Sequence, residues 1–157
     1  MEETRYGLRV TVPVASTRAL ERPTAALKAQ GFGVITSIDM AQTLKEKLGR
    51  ARAPYVILGA CNPVLADRAL AAEPEIGLLL PCNVIVYATT DAMTTVAAMA
   101  PLPAMGMIGN EALTAIAREA DTKLRAALAA IESGGYAGNV AVSVFPSPVR
   151  ISEILPL

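Results

Sequence analysis

The 157-residue sequence contains no histidine and no tryptophan. Without an imidazole, Ser-His-Asp catalysis, Cys-His catalysis and the commonest zinc sites are closed to a single copy of this chain. Aromatic residues are 4% of a chain that is 53% hydrophobic, so the core has to be built from Ala, Val, Leu, Ile and Met. There is no charge excess either, because 14 basic residues face 14 acidic ones. Nucleic-acid binding normally needs a basic stripe, since phosphate contacts dominate that affinity, and nucleic acid is not an expected partner. Long hydrophobic runs are also missing. The most apolar stretch, residues 76–88, is interrupted by Pro81, Cys82 and Asn83 and is too short for a bilayer, so no membrane association is expected. Nor do residues 1–6 open a signal-peptide-like apolar run. With only two cysteines and no secretory context, both read as reduced thiols in a cytoplasmic protein. No cofactor is expected.

What is present is short strand patterns interleaved with helix patterns, in a length that suits one domain. Leu8, Val10 and Val12 alternate as in a half-buried strand ended by Pro13. A helix follows and stops at Gly31; Ser16 caps it, or it starts again near Arg22, which leaves Pro23 in a first turn. Residues 33–38 read as a second strand, and Asp39 as the N-cap of a short helix that Gly49 closes. A third strand spans residues 54–60, and Asn62 with Pro63 opens a helix reaching Ala72. Residues 83–87 form the clearest strand, with residues 94–99 pairing to it across a turn near Asp91. After a Pro-rich link, Asn110 caps the longest helix, whose apolar face carries Leu113, Ile116, Ala117, Ala120, Leu124, Leu128 and Ile131. Glu119 with Lys123, and Asp121 with Arg125, read as solvated pairs on its other side. Beyond Gly135 lies an extension in which Val140, Val142 and Val144 alternate as one further strand, which either pairs with a sheet edge of this domain or of a dimer partner or packs as coil over the core. Residues 1–134 are therefore expected to form one domain and residues 135–157 an appended segment.

Four segments together resemble the domain-of-unknown-function family numbered 302: Gly31-Phe32-Gly33-Val34, residues 43–49 (Thr-Leu-Lys-Glu-Lys-Leu-Gly), residues 58–63 (Leu-Gly-Ala-Cys-Asn-Pro) and residues 77–84 (Gly-Leu-Leu-Leu-Pro-Cys-Asn-Val). The resemblance implies a two-layer α+β fold, a largely antiparallel sheet with helices on one face, often found as a homodimer. It implies no substrate. Two departures stand out, the extension after Gly135 and Pro23 where such domains have an uninterrupted helix.

Cys61 and Cys82 lead the candidate residues for chemistry. A free Cys is often simply a small buried hydrophobe. The functional alternative is a thiol or thiol pair lining a pocket, with Cys61 just before a helix N-terminus that lowers a nearby thiol pKa. The two sulfurs share one end of the sheet if their strands are antiparallel neighbours, and opposite ends if parallel; the resemblance favours the former. Asn62 and Asn83 read as cap and turn residues, or as amides orienting a ligand beside the thiols. Lys45 and Lys47, with Arg50 and Arg52, form a basic cluster that reads as a solvated face or as an anion subsite. Three functions follow: a homodimeric module binding a small molecule or partner near the two Cys-Asn segments, a thiol-dependent enzyme or sulfur carrier, and a metal-bridged structural dimer. Two thiols are too few for a closed zinc site within one chain, so no metal is expected there.

Overall fold

Two periodicities in the sequence divide the chain into its elements, seen in a computed structural model that describes residues 1–14 and 20–134. Strands are β1 (Glu2–Glu3), β2 (Gly7–Val12), β3 (Gly33–Asp39), β4 (Tyr55–Cys61), β5 (Cys82–Ala88) and β6 (Thr94–Met99). Helices are α1 (Glu21–Ala29), α2 (Met40–Leu48), α3 (Pro63–Ala72), α4 (Pro101–Gly106) and α5 (Glu111–Glu132), with a 3-10 helix at Pro74–Leu79. The strands form one sheet in the order β1-β2-β6-β5-β4-β3. Every neighbouring pair is antiparallel. This is the α+β architecture expected.

The core lies between one face of the sheet and the helices. Leu8, Val10 and Val12 of β2, Val96 and Ala98 of β6, Val84 and Val86 of β5, and Leu58 and Ala60 of β4 are buried as strand alternation requires. Against them α5 presents Leu113, Ile116, Ala117, Ala120, Leu124, Leu128 and Ile131, all buried at three-four spacing. The other face carries a row that the pairing register lines up across the sheet: Ile38, Ile57, Ile85, Ala97 and Arg9. Beside it, Tyr55 and Tyr87 stack with ring centroids 5.5 Å apart.

Caps end the helices where the residue types demand. Asp39, Asn62 and Asn110 each accept a backbone N–H of the first turn, from Gln42, Leu65 and Ala112 respectively. Helix α1 begins at Glu21, with Pro23 buried in its first turn, where proline's missing N–H costs no helical bond. The alternative cap Ser16 lies outside the described residues, as do the strand expected over Val140, Val142 and Val144 and the rest of residues 135–157. Three elements were not expected. β1 is polar and only two residues long. The 3-10 helix and α4 both start on proline, and α4 occupies the stretch expected to be a Pro-rich link.

The charge pairs of α5 also differ from expectation. Asp121 is buried rather than solvated, 7% exposed, and accepts from Arg125 Nε at 2.6 Å. Glu119 pairs not with Lys123 but with Arg68 of α3 at 2.8 Å, which ties the two helices together.

Candidate functional site

Three of the four segments quoted above converge on one end of the sheet. After α1 the chain reverses through Gly31, whose φ of 81° is open to glycine and strained for other residues. The N–H groups of Gly31 and Phe32 return to the carbonyls of Lys28 and Leu27, closing the helix. A Cβ on Gly31 would also stand 3.0 Å from Asn62 Nδ2, so the close approach of these two segments needs the bare backbone. Phe32, 2% exposed, then points inward, and Gly33 pairs with Cys61 at the end of β4.

The second segment supplies Cys61 and Asn62. Cys61 is the last residue of β4 and half-buried, one step before Asn62 caps α3 with an Oδ1 that accepts from Leu65 N–H at 3.2 Å. The third segment brings Cys82, the first residue of β5, which the register sets opposite Ala60. Because β4 and β5 are antiparallel neighbours, both thiols belong to one end of the sheet. Both are free, and both line a single cavity together with Asn62, Phe32 and Met105. Leu65 and Ala69 from α3 and Ile116 and Ala120 from α5 close its apolar walls.

The cavity offers about 20 Å³ to a water-sized occupant, room for one water molecule or one ion. Its two thiols are not equivalent. Burial, and secondly the neighbouring Cys61, push the Cys82 thiol from 9.0 up to about 11. Cys82 therefore stays protonated at neutral pH. Cys61 is partly open and stands at the positive end of α3.

The remaining candidates lie elsewhere. Asn83 is exposed, on the sheet face away from Cys82, where it pairs with Gly59. Lys45 and Lys47 are exposed on the last turns of α2, with Arg50 and Arg52 exposed beyond it. None of these lines the cavity. Phe32 and Met105 were missed as site residues. Phe32 sits inside a quoted motif, which was a usable signal; Met105 arrives through α4, and nothing local to it points to the cavity.

A small antiparallel α+β domain with a thiol-lined cavity at one sheet end is the class that these features define. The chain belongs to the family described as Domain of unknown function DUF302, whose family model matches residues 8–131. It is similar to an uncharacterized conserved DUF302 protein from Bacillus stearothermophilus, known from a crystal structure. The two share 32% sequence identity over 80% of this chain and 98% of that one, with a TM-score of 0.74. No curated protein matches the chain. Among the described residues, no helix is long and apolar enough to cross a membrane.

Proposed function

We propose that this protein is a cytoplasmic binding domain that holds a small ligand in the cavity beside Cys61, Asn62 and Cys82. The observation that carries this reading is the convergence of both thiols and the α3 cap on one cavity. Among the described residues lining it there is no carboxylate, amine or imidazole, so the site has nothing suited to general acid–base work. The domain acts as a homodimer. The row Ile38, Ile57, Ile85 and Ala97, on the sheet face turned away from the buried core, supports a second copy as the partner.

A small thiosulfonate reagent tests the cavity. Labelling Cys61 in the native protein should shift the Met105 methyl resonance. An unmoved Met105 signal would show that Cys61 does not open onto the cavity, and the reading would fall. A second reading, thiol chemistry at Cys61, is favoured by its place just before the α3 N-terminus. It requires Cys61 to be alkylated in the native protein while Cys82 is spared.

A further inference from the structure

Three sulfur-bearing residues line this cavity, from elements far apart in sequence. Cys61 ends β4, Cys82 begins β5, and Met105 comes from α4. Cys82 and Met105 are 6% and 2% exposed, so both sulfurs are withdrawn from water. We propose that the cavity is a binding site for a soft monovalent metal ion, with Cu(I) held by Cys61 Sγ, Cys82 Sγ and Met105 Sδ. This rests on the reading of the cavity as a ligand site and names the ligand.

The donor set decides the class of ion. Thiolate and thioether sulfur select Cu(I), whereas Mg(II) and Ca(II) favour carboxylate oxygen, and no carboxylate lines the cavity. Zn(II) asks for four nitrogen, sulfur or carboxylate ligands, and the chain has no histidine to complete them. Cu(I) is content with two or three sulfurs. Size points the same way. Sites for drug-sized organic ligands run to roughly 300–1,000 Å³, while about 20 Å³ admits a single ion. Phe32, Leu65 and Ile116 give the site apolar walls.

Binding balances without any redox step. Cu(I) displaces the proton of each thiol, two Cu–S bonds form, the thioether adds a third, and both protons leave to solvent. The bound group then carries one net negative charge, which the N-terminal end of α3 next to Cys61 faces.

The test is anaerobic competition of the full chain against the Cu(I) chelator bicinchoninate. One Cu(I) per chain is expected. Cys61→Ser and Cys82→Ser should each weaken binding by more than the roughly 10–100-fold that supporting residues around metal sites contribute. Met105→Leu should weaken it by about tenfold on the same scale. Since Met and Leu exchange with little loss of packing, that variant keeps the measurement meaningful even if Cys82→Ser folds poorly. Cu(I) affinity unchanged in Met105→Leu and Cys61→Ser would overturn the proposal, as would stoichiometric Zn(II) binding that Cu(I) cannot displace. If the thiosulfonate label reaches Met105 and Cu(I) still ignores these residues, the metal assignment alone is lost. If the label does not reach it, the cavity reading itself fails.

Discussion

Strands β2 and β3 lie on opposite sides of one sheet and differ in what covers them. The inward residues of β2, Leu8, Val10 and Val12, are at most 3% exposed, under α5. On β3, Ile35 and Ile38 are 54% and 39% exposed. The helix that follows it, α2, contributes no buried residue. The molecule thus has a deeply packed side built on β2, β6, β5 and α5, and a thinly covered side built on β3 and α2. The thiol cavity is placed between them, walled by α5 and α3 on one flank and by Phe32, the residue leading into β3, on the other. Burial of apolar area sets stability, so the two sides should answer very differently to the same kind of damage.

Truncation is the most direct way to break that contrast. Leu124 in the middle of α5 is fully buried, and Leu124→Ala should cost about 2–5 kcal/mol in chemical denaturation. Ile35→Ala removes a side chain that is already 54% exposed and should cost about 1 kcal/mol or less. Equal losses at the two positions would mean that the packed and thin sides are one cooperative unit of uniform strength.

A titration sharpens the boundary between the sides. The folded metal-free protein keeps the Cys82 proton to about pH 11, whereas an unperturbed thiol releases it near 9.0. Between those values the unfolded chain binds fewer protons than the folded one, so stability falls as pH rises. The contribution is complete below 9.0 and lost through about 11, and two pKa units correspond to about 3 kcal/mol. Cys82→Ala should remove that part of the slope when denaturation midpoints are compared across the window. Parallel slopes in the two proteins would show that Cys82 is less withdrawn from water than its place in β5 implies.

The packed side was largely legible in the sequence, and the cavity only in part. Strand and helix patterns are local, so Leu8, Val10 and Val12, the α5 stripe, and the caps Asp39, Asn62 and Asn110 could be read without knowing the fold. The meeting of Cys61 and Cys82 depended on strand direction, a long-range property that spacing leaves open and that the family resemblance supplied. Met105 could not be read at all, because Pro101 and Pro103 disguised α4 as a link. Asp121 was misjudged for a related reason. Its i,i+4 partner Arg125 is real, but Arg125 also reaches Glu3 of β1 at 3.0 Å, a long-range contact that helix spacing does not reveal.

Smaller effects come from Gly59 in the middle of β4. A Cβ there would clash with Thr36 Oγ1 of β3 and stand 2.7 Å from Pro81 Cγ, just before Cys82. Gly59→Ala should therefore cost about 1–3 kcal/mol, as overpacking does. Adding Thr36→Ala should recover part of that loss, since one of the two obstructions disappears while the proline ring remains. If the double variant is no more stable than the single one, the proline contact alone sets the cost.

The smallest expected change tests the thin side by itself. No residue of α2 is fully buried, so its ends matter more to it, and local hydrogen bonds hold them. Asp39 Oδ1 accepts the Gln42 N–H at 2.9 Å, and the Asp39 carbonyl accepts from Thr43 Oγ1 at 2.7 Å. At the other end Gly49 takes the left-handed conformation, with its N–H on the Lys45 carbonyl. Asp39→Ala removes the side-chain cap and should cost about 1 kcal/mol. Because no core contact is lost, that cost should appear as local opening rather than global unfolding. Hydrogen exchange resolves the two: α2 amides should exchange several-fold faster in the variant, while α5 amides keep their wild-type protection. If α5 amides speed up by the same factor, α2 unfolds only together with the core, and its lack of buried residues does not make it a separate unit.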